Sequence, residues 1–245
     1  MRIGLLITCL VDGMFPDVAA DTVTVLRRLG HEVEVPAAQT CCGQMHVNTG
    51  YPRQAVPLVR RYVETFSEFD AVVAPSGSCI GSVRHQHADV ARQAGDLELA
   101  AAAEDVAGRS YELSELLVDV LGVTDVGADY PHRVTYHPTC HSLRMLRVGE
   151  KPLQLLRSVR RINLVELPDA DSCCGFGGTF AMKNADVSTA MLEDKLARVA
   201  MTGADRLCAS DSSCLMHLGG GLSRLHSDIG TVHLATILAS AERSR

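Results

Sequence analysis

The sequence predicts an α/β protein made of two tandem, duplicated Rossmann-like parallel-sheet halves related by internal pseudo-symmetry. Three observations predict it. Eight of the nine cysteines fall into one pattern written twice: Cys9, Cys41-Cys42-Gly43 and Cys79, then Cys140, Cys173-Cys174-Gly175 and Cys214. The offsets between matched cysteines are 131, 132 and 135 residues, a drift of a few positions over the length of a domain. Between the cysteines, short β-branched runs alternate with segments of helical period, as in a parallel sheet covered by helices.

The elements follow in the same order in each half. Arg2–Cys9 and Arg133–Cys140 are apolar, β-branched runs that read as strands ending at a cysteine. Pro16–Leu29 carries Val18, Thr22, Val25, Leu26 and Leu29 at helical spacing, with Gly30 closing it. Its counterpart is expected as one helix from His141 to Val159. Short strands at His31–Val35 and Asn163–Leu167 run into Pro36 and Pro168 and then into the cysteine pairs. Long helices are predicted at Pro52–Glu68 and Val187–Met201, and third strands at Asp70–Pro75 and Asp205–Ala209. Turn-rich segments then deliver Cys79 and Cys214. The halves are assigned as 1–127 and 128–245, because glycine, aspartate and proline interrupt the apolar periodicity from Gly122 to Pro131.

Composition excludes several function classes. A net charge of −6 disfavours a general nucleic-acid binder, which needs a basic surface to neutralise phosphates. No apolar run approaches the ~18 residues needed to span a membrane, and no secretory cleavage site follows Ile3–Ile7. The chain therefore reads as cytoplasmic, where thiols stay reduced and clustered cysteines favour metal or redox chemistry over structural disulfides. No P-loop is present and no G-x-G-x-x-G follows the first strand, so a nucleotide cofactor is not supported.

All the matched cysteines fall at or just beyond predicted strand ends, the edge where open α/β sheets bind ligands. Cys9, Cys41, Cys42 and Cys79 form one expected metal-binding set, and Cys140, Cys173, Cys174 and Cys214 the other. Four thiolates suit an iron–sulfur cluster of the 4Fe-4S kind, one or two per chain, or zinc as the alternative. Adjacent side chains tend to diverge, so a cysteine pair serves several irons more readily than one tetrahedral zinc. Gly43 and Gly175 are expected to let backbone approach a ligand closely. The run Gly175-Phe176-Gly177-Gly178 is expected to present N–H groups to thiolate charge, so Gly177 and Gly178 join Gly43 and Gly175 as cofactor-binding candidates. Cys208 reads as a core thiol. His137, His141 and His217 lie within three residues of matched cysteines and read singly as structural, whereas His85 and His87 read as a solvated helix face. Ser76 reads as a helix N-cap, and Asp211 equally as a cap or an oxygen ligand.

The double arrangement resembles the CCG cysteine-rich domain pair found in heterodisulfide reductase and in related iron–sulfur oxidoreductases. Its flanks are closer to the lactate-utilisation protein A family: Pro75-Ser76-Gly77-Ser78-Cys79, His137-Pro138-Thr139-Cys140-His141, Cys173-Cys174-Gly175-Phe176-Gly177-Gly178-Thr179-Phe180, and Cys214-Leu215-Met216-His217 followed by Gly219-Gly220-Gly221. The resemblance covers almost the whole chain. It implies an iron–sulfur electron-transfer subunit, acting with partner iron–sulfur subunits of a lactate utilisation complex that oxidises L-lactate to pyruvate. In heterodisulfide reductase each CCG motif ends in Cys-x-x-Cys and supplies five thiolates. Here Ser76 and Asp211 stand at the first of those positions, leaving four per half. Two other readings stand beside it: a thiol/disulfide redox subunit like heterodisulfide reductase, and a zinc-stabilised, non-catalytic interaction protein.

Overall fold

The computed structural model of the chain describes residues 1–241. The polypeptide divides into two compact units, Met1–Leu116 and the chain from Leu117 onward. Each unit contains one four-stranded sheet whose paired strands are all parallel. In the first, β1 (Arg2–Leu5), β2 (Glu32–Glu34), β3 (Ala71–Ala74) and β4 (Ser110–Glu112) lie in the order β2-β1-β3-β4. In the second, β5 (Arg133–His137), β6 (Asn163–Val165), β7 (Arg206–Ala209) and β8 (Gly230–His233) repeat it as β6-β5-β7-β8. The central strands are apolar because helices cover both faces: every residue of β3 is buried, as are three of the four in β7. The edge strand β2 buries only Val33.

Helices form where the apolar period predicts them, at Pro16–Arg28, Pro52–Phe66 and Ala185–Met201. Val25 and Leu26 of the first, and Val59 and Phe66 of the second, are fully buried. Burial of such a side chain contributes roughly 1.5–3 kcal/mol. Among the described residues no helix is long and apolar enough to cross a membrane.

Three expectations are corrected. The stretch His141–Val159 is not one helix. A π-helical turn at His141–Leu146 ends at Arg147 (φ +56°), Gly149 (φ +62°) reverses the chain, and a new helix runs Lys151–Arg157 with Pro152 in its first turn. Each half gains a fourth strand, β4 or β8, whose residues, Ser-Tyr-Glu and Gly-Thr-Val-His, present no apolar run. The first half also inserts the helix Leu97–Ala107 before β4. His87, read as part of a solvated face, is buried at 1% exposure on the helix Gly77–Gln93, whereas His85 is exposed. The face turns inward because Val83, Val90 and Ala91 share it with His87.

The fourth strands end alike. Glu112 pairs in register with Ala74, and His233 with Ala209. Each caps the helix that follows: Glu112 Oε2 accepts from Ser114 N at 2.8 Å, and His233 Nδ1 accepts from Ala235 N at 3.0 Å. Ser114 Oγ also donates to Glu112 Oε2, while Glu112 Oε1 is buried without a partner. Desolvation pushes the Glu112 carboxyl up to about 7 from 4.5. The folded chain thus holds a proton between pH 4.5 and 7 that the unfolded chain has released, so this group's contribution to stability falls as pH rises through that window. Glu112→Gln keeps the acceptor and removes the titration. Denaturant melts should show the variant more stable than the parent at pH 8, by on the order of 3 kcal/mol, with the advantage vanishing near pH 4.5.

Candidate metal centres

In each half, three adjacent strands deliver one set of cysteines. Cys9 follows β1 as the first residue of the helix Cys9–Met14, capped by Thr8, whose Oγ1 accepts from Val11 N. Cys41 and Cys42 follow β2. Cys79 follows β3 in the first turn of the helix Gly77–Gln93, where Ser76 Oγ accepts from Cys79 N at 3.3 Å. The second half repeats this after β5, β6 and β7, with Asp211 Oδ1 accepting from Ser213 N at 3.1 Å at the start of the helix Ser212–Arg224. Ser76 is thus the N-cap that its sequence predicts, and Asp211 also caps.

The eight thiols gather into two quartets. Hydrogen-bond contacts run from Cys9 to Cys41, from Cys41 to Cys42 and from Cys42 to Cys79. The same chain links Cys140, Cys173, Cys174 and Cys214. All nine cysteines, each among the described residues, are free thiols. The adjacent side chains do not diverge fully: Cys41 touches both Cys42 and Cys9, and Cys42 also reaches Cys79. Each quartet therefore has a buried inner pair, Cys42 and Cys79 or Cys174 and Cys214, and a more accessible outer pair, Cys9 and Cys41 or Cys140 and Cys173. An open cleft of about 310 Å³, lined in part by Ile7, Asp12, Pro36 and Thr40, lies against Cys9 and Cys41.

Charge within a quartet concentrates on the first cysteine of the pair. Thiol hydrogen bonds from Cys42 and Cys9 pull Cys41 far below the ordinary thiol range, and those from Cys140 and Cys174 do the same to Cys173. The donating thiols, Cys9, Cys42, Cys140 and Cys174, are pushed up. Backbone donors reinforce the pattern: Gly43 N donates to Cys41 Sγ at 3.5 Å, Gly175 N to Cys173 Sγ at 3.4 Å, and Phe176 N to Cys174. Gly177 and Gly178, both of positive φ, turn the chain into the helix Phe180–Lys183.

The two CCG glycines are needed for different reasons. Both have positive φ, +84° at Gly43 and +91° at Gly175. A Cβ on Gly43 would meet nothing closer than 3.5 Å, whereas one on Gly175 would lie 2.6 Å from Ser188 O in the helix Ala185–Met201. What approaches Gly175 closely is a helix backbone.

Each cysteine loop is tied down by a side chain that sequence reasoning missed. Gln39 bridges the end of β1, accepting from Ile7 N at 2.7 Å and donating to Leu5 O at 3.2 Å. Lys195, 1% exposed, donates to Asp169 O at 2.8 Å and Ala170 O at 3.2 Å, just before Cys173. A sequence signal existed for Lys195, which shares a helical face with Met191, Leu192 and Val199. Gln39 left none, being one residue of a short loop with no periodicity to place it.

The nearby histidines differ. His87 Nε2 bonds Cys42 O at 2.8 Å and its ring packs edge-on against Tyr62, so it supports the pair from behind. His217 Nε2 pairs with Ser188 Oγ at 3.4 Å, and Ser188 donates to Gly175 O. His137 is fully buried, and one of its ring nitrogens lies within 4.8 Å of both Cys174 Sγ and Cys214 Sγ. Burial, with the Lys195 charge, lowers its pKa to about 4. Cys208 sits fully buried in β7, a core thiol pushed up by desolvation.

The CCG cysteine-rich domain model matches this chain twice, over residues 3–84 and 134–219. The lactate utilization protein A of Oceanobacillus iheyensis is 44% identical over 97% of this chain and 96% of its own length. The chain belongs to the lactate utilization protein A family of CCG cysteine-rich domain proteins. Other members include that of Geobacillus kaustophilus, 42% identical over 97% of this chain and 98% of its own, and that of Halalkalibacterium halodurans, 40% identical over the full chain and 99% of its own. Likeness to solved structures is distant: the glutamate racemase RacE1 of Bacillus anthracis aligns over 98% of this chain and 78% of its own, at 13% identity and a TM-score of 0.36.

The glycine and lysine contacts set expected stabilities. Gly175→Ala should destabilise the chain by about 3 kcal/mol, strain from positive φ adding to overlap with the Ser188 carbonyl, while Gly43→Ala should cost about 1–2 kcal/mol. Lys195→Met strands two carbonyls and should cost about 2 kcal/mol. Equilibrium denaturation of the three metal-free variants beside the parent measures all of these.

Proposed function

We propose that each half of the chain holds an iron–sulfur cluster, and that the protein is an electron-transfer subunit of a system that oxidises L-lactate to pyruvate. The observation that carries this reading is the convergence of two four-thiol sets at equivalent sheet edges. The lactate assignment is supported by the name of the family's members, lactate utilization protein A, and by their match over nearly the full chain.

The residues fit such a group. Soft thiolates are the preferred ligands of iron–sulfur centres, and eight are present in two quartets. Cys9, Cys41, Cys42 and Cys79 would hold one cluster, and Cys140, Cys173, Cys174 and Cys214 the other. A bound cluster supplies one-electron transfer at a potential set by its surroundings. The chain contributes those surroundings. The N–H groups of Gly43, Gly175 and Phe176 offset thiolate charge. The inner cysteines shield one side from water, and the outer pair keeps the other side near the surface, within reach of a donor or acceptor protein. Gln39 and Lys195 hold the loops so that little reorganisation accompanies a change of charge. Lactate need not bind this chain, since no residue set among the described residues resembles a hydride-acceptor site. Its electrons would pass to and from partner iron–sulfur subunits.

One observation favours a thiol/disulfide role as the second reading. Cys9 and Cys41 touch beside an open cleft, and hydrogen bonds from Cys42 and Cys9 favour the thiolate form of Cys41. Alkylation distinguishes the two: a thiol mechanism requires loss of disulfide-reducing turnover when the exposed Cys9 is modified.

The decisive measurement is iron and sulfide analysis with electron paramagnetic resonance on protein purified and reconstituted without oxygen. We expect about four irons per occupied half. Cys42→Ser and Cys174→Ser should each abolish the signal of one half only. A colourless protein carrying zinc and no iron after reconstitution would overturn the proposal.

A further inference from the structure

We propose that His137 is a nitrogen ligand to the metal of the second half, so that the two halves hold chemically different centres: sulfur alone in the first, sulfur and an imidazole in the second. The inference deepens the metal-binding reading above and rests on it.

Three observations carry it. First, His137 is fully buried and both of its ring nitrogens lack any hydrogen-bond partner. A buried polar group left unmet destabilises the fold, and a neutral imidazole presents both a donor and an acceptor. The other buried histidines each use a nitrogen: His87 on Cys42 O, His233 on Ala235 N. Second, the ring is aimed at sulfur. One of its nitrogens and the Sγ atoms of Cys174 and Cys214 all lie within 4.8 Å of one another. Bonds of about 2.0 Å to nitrogen and 2.3 Å to sulfur place such donors a little under 4 Å apart around one tetrahedral ion, so the trio closes on a metal by small side-chain shifts.

Third, the position is asymmetric. In register, Leu5 pairs with Val73 and Tyr136 with Cys208, so the equivalent of His137 in the first half is the next residue after Leu5, Leu6, which is also fully buried. The scaffold accommodates an apolar side chain there. Packing alone therefore does not call for a histidine in the second half. Conversely, His87 on the helix after Cys79 corresponds to Leu222 on the helix after Cys214. Each half keeps one buried histidine beside its thiols, but only that of the second half faces the sulfur atoms with nothing else to bond. Imidazole suits the same borderline metals as thiolate, iron and zinc among them.

The probe is cobalt(II), titrated without oxygen into the full chain stripped of metal, with the protein grown on 15N-histidine or on unlabelled histidine. Cobalt(II) in the second site should show a directly coupled nitrogen by electron–nuclear double resonance, with the coupling pattern changed by the label. The labelled parent chain needs no substitution, so the result does not depend on a variant folding. His137→Leu, which installs the residue type of the first half, should abolish that coupling and weaken cobalt at one site by about tenfold or more, leaving the other site unchanged. Cobalt bound with sulfur character but no coupled histidine nitrogen overturns the inference and leaves the metal reading standing. A chain that binds neither cobalt nor iron overturns the metal reading, and the inference with it.

Discussion

Everything in this structure depends on the parallel register of three neighbouring strands. In the order β2-β1-β3-β4 the chain leaves β1, adds a strand on one side, and crosses to the other for β3. Parallel pairing puts all the carboxyl ends at one edge, so residues 9, 41, 42 and 79 meet although they lie far apart along the chain. The loop-closure entropy of joining such distant thiols is met by the sheet and its helices. Only the last few ångströms are left to local devices. Thr8, Ser76 and Asp211 are such devices, each starting a helix so that a nearby cysteine sits in its first turn or just after.

The duplication supplies two copies of that edge, but the copies are trimmed differently. The first cysteine loop is held by the neutral amide of Gln39, the second by the ammonium of Lys195. A buried cation beside the second quartet, where the first loop has an amide, gives the two sets of thiols unequal fields, because charge is poorly screened in the interior. The strand-end caps differ likewise, a protonatable carboxyl at Glu112 and an imidazole at His233. One backbone plan thus carries two electrostatic environments.

Legibility followed the range of the forces involved. The cysteine spacing, the strand–helix alternation and the N-cap at Ser76 were readable, because each is set within a few residues. His87 was misread for want of the helix's orientation: its phase was visible, but which side met the sheet was not. The break at Arg147–Gly149 was hidden by leucines that keep a helical period across it. The strands β4 and β8 present no apolar run, and only pairing along β3 and β7 makes them strands.

By itself the sequence determined the duplicated α/β plan and the membership of each thiol quartet, since periodicity and repeat offsets are properties of a linear string. The tertiary structure alone decided that Gly175 is confined by the Ser188 carbonyl while Gly43 is not, that Lys195 serves a loop, and that His137 faces two thiols at the position Leu6 fills in the first half. Those facts depend on what distant chain brings alongside a residue, and contact across a fold leaves no trace in the spacing of its own neighbours.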